Sequence, residues 1–280
     1  MREIFTLLFL LVSLCTYPIV YISPSYFQEN GRWYWGINDE YIDEREEVTG
    51  AHTRTFRLVC NSTNPYACFR TPFAKDRRFV YFQGQRIEGA NPQTWEVIMI
   101  MDRSLYSRDD RNVFFRGKKV KGADRDTFED ISSGRHWLFG RHSTFGRDKN
   151  HIFFRDKPLI GSCANDFRIL DIYVVSNNKV FFQNRNLDAD AQSFQILEHI
   201  GHEWFGVEYT IARDKNHIFI DSQKLTALDV ETFEIVDVYY WGGVIVRDKN
   251  GTFQIHHDWE TEIASLVPIE IEKTGSGRQE

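Results

Sequence analysis

Two kinds of hydrophobic pattern divide the chain. Residues Ile4–Ile22 carry no charge and are interrupted only by Thr6, Ser13, Thr16 and Pro18. A helix of that length runs roughly 28 Å, about the hydrocarbon thickness of a bilayer, so the run predicts one N-terminal transmembrane helix. Beyond it come short stretches dominated by β-branched and aromatic residues, such as His151-Ile152-Phe153-Phe154 and Phe233-Glu234-Ile235-Val236. Such stretches, bounded by polar turn residues, predict strands. No amphipathic helix of any length is legible between residues 30 and 260.

The strand pattern repeats. Arg147-Asp148-Lys149-Asn150-His151-Ile152-Phe153-Phe154 recurs from Arg213 to Ile220 and from Arg247 to Phe253. Looser copies start at Lys75, Arg108 and Asn177. A second motif, seen as Gly122-Ala123-Asp124-Arg125-Asp126-Thr127-Phe128-Glu129, follows each copy except the last, and an upstream copy starts at Gly50. Its aromatics fall at Phe56, Trp95, Phe128, Phe167, Phe194 and Phe233, with Trp33-Tyr34-Trp35 as the partner of the first. Asp-Lys-Asn between two apolar runs reads as a tight turn, because Asp accepts from nearby backbone N–H groups and Asn tolerates a left-handed backbone. Asp76, Asp109, Asp148, Asp214 and Asp248 are therefore structural turn residues. A unit is two hairpins, at most four short strands, and must stack on its neighbours to bury an apolar face. The expected fold class is all-β: about six repeated antiparallel β-hairpin units, β-propeller-like or an open twisted superhelical array. The segments are an anchor or signal peptide over 1–22, a β-repeat domain over 23–270 and a disordered tail over 271–280.

These Asp-Lys-Asn-x-apolar-aromatic-aromatic units, with their Gly-Ala-Asp-x-x-Thr-Phe-Glu segments, resemble the DKNYY repeat family of bacterial proteins over about residues 74 to 254. The clearest copies begin at Asp148, Asp214 and Asp248. Phe or Ile replaces the Tyr-Tyr pair in most copies, and the unit at Asn177 lacks the Asp. The resemblance implies no defined biochemical function and supplies no catalytic residues.

Charge and cysteines bear on location. With 34 Lys plus Arg against 40 Asp plus Glu, the net charge is −6. That balance argues against a nucleic-acid partner, which calls for a concentrated basic face. Arg2 precedes the apolar run and acids dominate after it, which favours a cytoplasmic N-terminus and a repeat domain outside the cytoplasm, periplasmic or at the cell surface. Cys60 and Cys68 enclose the Asn64-Pro65 turn signal and read as a disulfide across a hairpin in an oxidising compartment. Cys163 is left over as a buried apolar residue.

Little in the sequence nominates chemistry. Asp148 and Asn150 offer oxygens, but Lys149 between them opposes calcium binding. His199-Ile200-Gly201-His202-Glu203 lacks the His-Glu-x-x-His order of a zinc helix, and His256-His257-Asp258 reads as an exposed strand end. His151 and His217 occupy equivalent repeat positions, which suits structure. Glu96, Glu129, Gln195 and Glu234 alternate with apolar neighbours and read as a solvated strand face. No catalytic residue, metal or cofactor is expected. Loops vary most over 60–74, 132–146 and 198–212. Within them Trp137, Phe139, Trp204 and Phe205 are aromatics of the sort that anchor interfaces or sugars. The expectation is a membrane-anchored binding or scaffold module whose partner is a protein or polysaccharide of the cell envelope. The alternatives are an envelope carbohydrate-active enzyme on a propeller and an immunity-type partner of a toxin.

Overall fold

The computed structural model describes residues 24–38, 43–59, 71–98, 105–132, 144–201, 208–239, 243–258 and 263–269. Within them every regular element is a β-strand, and no helix is long and apolar enough to cross a membrane. Residues 4–22 and the tail 271–280 lie outside the described residues. The chain forms two compact units, Met1–Gln93 and Thr94–Glu280.

The first unit holds two antiparallel sheets. One is three-stranded: β1 (Ser25–Glu29), β2 (Arg32–Asn38) and β3 (Asp43–Glu47). The other is a four-stranded meander: β4 (Arg57–Leu58), β5 (Phe73–Lys75), β6 (Val80–Phe82) and β7 (Gln85–Arg86). The second unit holds five more meanders. They are β8 (Glu96–Val97) to β11 (Lys118–Lys119), with β9 (Tyr106–Arg108) and β10 (Val113–Phe115) between; and β12 (Glu129–Asp130), β13 (Phe145–Arg147), β14 (Ile152–Phe154) and β15 (Lys157–Pro158). Then follow β16 (Phe167–Leu170), β17 (Tyr173–Ser176), β18 (Lys179–Phe182) and β19 (Arg185–Asn186); and β20 (Gln195–Gly201), β21 (Glu208–Arg213), β22 (Ile218–Ile220) and β23 (Gln223–Leu225). The last is β24 (Glu234–Val238), β25 (Val244–Asp248), β26 (Gly251–Asp258) and β27 (Ile263–Pro268). Each four-stranded sheet is one predicted unit, so the six expected repeats are present and a three-stranded sheet precedes them. Trp33 and Trp35 belong to that extra sheet, and Trp33 stacks on Phe56 at 4.5 Å, the partner expected from the sequence.

Register is shared between repeats. The middle hairpins pair Phe73 with Phe82, Tyr106 with Phe115, Phe145 with Phe154 and Tyr173 with Phe182. The third and fourth strands of most meanders meet in a two-residue turn whose first residue has positive φ, as at Gln83, Arg116, Arg155, Gln183 and Asp221. Turns of this kind match the twist of the strands they join. An aliphatic residue closes the short fourth strand by donating its N–H back to the third: Ile87 to Val80 at 2.8 Å, Val120 to Val113 at 2.8 Å, Leu159 to Ile152 at 2.7 Å and Leu187 to Val180 at 2.8 Å.

Gly84, at φ +77°, packs its Cα side against Trp35; a Cβ there would lie 2.8 Å from the Cβ of Trp35. Gly84→Ala is expected to destabilise by about 2–3 kcal/mol, from left-handed strain plus the collision. Gly89, at φ +74° with no heavy atom near its missing Cβ, should cost only the strain, about 1 kcal/mol. Urea midpoints of the two alanine variants check the difference.

Core clusters of the second unit each join consecutive sheets. Tyr106, Val113 and Phe115 pack with Phe128 and Phe153; Phe145, Ile152 and Leu159 pack with Val174 and Phe181. Tyr173 and Phe182 pack with Ala212 and Phe219, and Ile211 and Ile218 pack with Val246 and Ile255. Tyrosine hydroxyls reach the same way: Tyr106 donates to the Arg155 carbonyl at 2.8 Å and Tyr173 to that of Asp221 at 2.9 Å.

Candidate functional site

The two sequence motifs are the halves of one latch. In the β13–β14 turn the fully buried Asp148 accepts through Oδ1 from the N–H groups of Asn150 and His151, both at 2.7 Å. Its Oδ2 accepts from the N–H of Asp124, 2.7 Å away in the segment that leads into β12. Thr127 of that segment donates its hydroxyl to Asp124 Oδ1 at 2.8 Å and accepts from the Lys149 N–H at 3.1 Å. The Lys149 ammonium then reaches Asp124 Oδ2 at 2.8 Å. The entry to the first strand is thus tied to the tip of the middle hairpin.

Other repeats use the same bonds. Asp214 holds the N–H groups of Asn216, His217 and Asp190, each at 2.7 Å, with Ser193 in the place of Thr127. Asp248 accepts from Asn250 at 2.8 Å and Asp229 at 2.6 Å, and Lys249 meets Asp229 at 2.6 Å. Asp76 accepts from Arg78, Phe79 and His52, and Asp109 from Arg111 and Asn112. All five aspartates thus accept backbone N–H bonds from residues two or three further on. His151 and His217 sit beside their turn aspartates, at 3.7 and 3.5 Å, and edge-on to Phe153 and Phe219. Glu96 pairs with Arg108 at 2.6 Å, and Glu129 and Glu234 pair with Arg147 and Arg247, so the repeated acid faces solvent opposite an arginine.

The latches set an acid limit to stability. The Lys149 ammonium and then the Thr127 hydroxyl hold the Asp124 carboxyl down to about 2, and Ser193 and Lys215 do the same for Asp190, also to about 2. Lys249 and Thr232 lower Asp229. For Asp76 burial alone would raise the value, but donations from His52, Arg78, Phe79 and Tyr81 outweigh it and leave it lowered. A carboxyl depressed on folding binds protons more readily in the unfolded chain, so its contribution is complete above the unfolded value and is lost as pH falls through the folded one. Stability is expected to be flat down to about pH 5 and to fall between about pH 4 and 2. Urea midpoints across that range check it; a fall centred above pH 5 contradicts it.

One repeat departs. By strand register Cys163 stands at the position of Asp124, Asp166 at that of Thr127, Arg168 at that of Glu129, Val175 at that of Arg147, Ser176 at that of Asp148 and Asn177 at that of Lys149. Ser176 keeps a reduced latch. Its hydroxyl accepts from the Cys163 N–H at 2.8 Å and lies 3.0 and 2.7 Å from the carbonyls of Cys163 and Asp166. Asn177 and Asn178, both at positive φ, close the hairpin. With the latch side chains smaller, an open groove of about 530 Å³ lies over Phe167, Val175, Ser176 and Ala191, rimmed by Asp166, Arg168, Asn177, Asn178 and Gln192. Cys163 is a half-buried free thiol.

Every four-stranded meander turns its latch to one end, so the connections between its first and second strands leave from the other. Those connections bracket residues 60–70 (β4 to β5), 133–143 (β12 to β13) and 202–207 (β20 to β21). Cys60, Cys68, Trp137, Phe139, Trp204 and Phe205 fall in these ranges and lie outside the described residues. The structure trims the variable loops expected from the sequence, because Phe73–Lys75, Phe145–Arg147, Gln195–Gly201 and Glu208–Arg213 are strands. His199 is accordingly a strand residue, its Nδ1 3.3 Å from Asp171 Oδ2 and 3.2 Å from the Thr210 hydroxyl. His256 and Asp258 are exposed at the end of β26, as expected, whereas His257 between them is buried and stacks on Tyr209 at 5.3 Å.

Serial meanders, each locked by its own Asp-to-backbone latch and packed on the next, define an all-β repeat protein. The sequence model of the DKNYY family matches residues 20–114 and 106–257, and the chain belongs to that family. Neither a curated protein nor a solved structure matches it.

Proposed function

We propose that the chain is a membrane-anchored extracytoplasmic binding or scaffold module, held by residues 4–22, with its repeats outside the cytoplasm. The observation that supports this reading is the division between the two ends of each meander. Latches stiffen one end, while connections of unequal length leave from the other, and a rigid frame carrying variable connections is the usual arrangement for recognition. Trp137, Phe139, Trp204 and Phe205 lie in those connections and are the proposed contacts. Consecutive sheets of the second unit pack pairwise, as an open twisted array or a propeller both require. A disulfide between Cys60 and Cys68 would brace the first connection.

The test is retention from envelope extract on the full chain in detergent. One stoichiometric protein, lost with Trp137→Ala/Phe139→Ala or Trp204→Ala/Phe205→Ala while the circular dichroism is unchanged, is the expected result. Equal retention by these variants would remove the aromatic connections from the reading. Release of sugar from bound polysaccharide would replace it with an envelope enzyme.

A further inference from the structure

The edge strands β11 and β15 close consecutive sheets of the second unit, and charge of one sign gathers there. Arg116, Lys118, Lys119 and Lys121 surround β11, Arg155 and Lys157 flank and form β15, and all six are exposed. Among the described residues none of the six makes an ion pair, whereas neighbouring arginines are paired, Arg108 with Glu96 and Arg147 with Glu129. Basic residues on later edges are also engaged: Lys224 lies 3.5 Å from Asp188, and Arg185 donates to Ser222. Asp156, half-buried, is the one acid within residues 113–121 and 152–160. Arg116 lies over the Phe115 ring at 5.9 Å and Arg155 over the Phe154 ring at 4.9 Å, and burial, then the charge of Arg155, hold Arg116 below the usual arginine range.

An apolar side chain stands among them. Ile160, three residues beyond Lys157, is 78% exposed, the most of any large hydrophobic residue described. It occupies the register position that Lys121 occupies in the preceding repeat. Lysines on a sheet edge also deter edge-to-edge pairing, but that task calls for charge of either sign and has no use for an exposed isoleucine. A chain with net charge −6 is repelled from anionic surfaces at long range, so such contact requires a local patch.

We propose that these two edges, residues 116–121 and 155–160, dock on the anionic headgroups of a bilayer, the cations against phosphate and Ile160 in the interface. A soluble polyanion satisfies the cations and leaves Ile160 without a role. The inference rests on the membrane-bound reading above and names which face of the repeats turns to the lipid.

The full chain is inserted into vesicles of phosphatidylcholine alone, or of phosphatidylcholine with phosphatidylglycerol, and amide exchange is followed at low salt. Residues 113–121 and 152–160 are expected to exchange about tenfold more slowly on the anionic vesicles, with the difference gone in high salt. Lys118→Glu/Lys119→Glu should exchange as the parent does on neutral vesicles and lose the protection on anionic ones; Ile160→Ser should lose part of it. Equal exchange on both lipids overturns the proposal, as does protection that survives the charge reversal. Protection by inorganic polyphosphate on neutral vesicles, equal to that given by the anionic lipid, assigns the edges to a soluble polyanion and overturns it as well. Failure of the chain to float with neutral vesicles sinks the anchor at residues 4–22, and exchange with added anionic vesicles still decides the edges.

Discussion

Asp148→Ala is expected to destabilise the second unit by about 4 kcal/mol. The carboxylate is fully buried and satisfies three backbone donors, those of Asn150, His151 and Asp124. Alanine leaves all three without their acceptor in a site closed by Thr127 and Lys149, and each stranded donor costs about 1–3 kcal/mol, less what admitted water recovers. Asp148→Asn keeps an oxygen for two donors but turns an amide N–H toward the third, for a loss of about 2 kcal/mol. Ser176→Ala supplies the internal comparison, because that hydroxyl accepts from a single N–H, and about 1 kcal/mol should go. Urea unfolding of the three variants gives the order; equal losses at positions 148 and 176 would deny the aspartate its special weight.

Gly146→Leu is the second large effect, expected at about 3 kcal/mol. Gly146 lies beneath the ring of Phe128, and a Cβ there would sit 2.3 Å from its Cζ. Phe128 is itself buried against Tyr106 and Phe153, so the ring has nowhere to retreat. Overfilling such a site costs about 1–3 kcal/mol, more where the neighbours are fixed. The other repeats grade the response. Ala74 and Ala212 share clusters with the buried Phe56 and Phe194, so Gly146→Ala should cost about 1 kcal/mol. Val246 fills the last copy, and there Phe233 is only half-buried. In a double-mutant cycle, Phe128→Ala should recover at least about 1 kcal/mol of the leucine's cost; strict additivity would mean that the ring and position 146 do not meet.

These two sites mark how far the sequence could be read. Strands, turns and the number of four-stranded repeats were legible because alternation and Asp-Lys-Asn are local signals. The joining of Asp148 to Asp124 was not, since the bond spans a whole hairpin and each motif makes sense alone as a turn. Small residues two places before four of the five turn aspartates, Ala74, Ser107, Gly146 and Ala212, gave a periodic signal that looks like noise until the ring above them is seen. The aliphatic closures Ile87, Val120 and Leu187 were hidden as single apolar residues between polar neighbours, and Leu159 merges with Pro158 and Ile160. The cations on β11 and β15 were visible as letters, but only the strand order shows that both strands are edges of consecutive sheets.

The latch also bears on how such a chain changes length over generations. Because Asp124 leads into a single meander and Asp148 lies within it, the lock closes inside one cassette and asks nothing of the next. A duplication or loss whose breakpoints follow successive closing aliphatics, Val120 and Leu159 for instance, carries both halves together. Inheritance can therefore add or drop whole cassettes while each survivor stays fastened, and a cassette freed of one partner residue, as at Ser176, can drift without loosening its neighbours' locks.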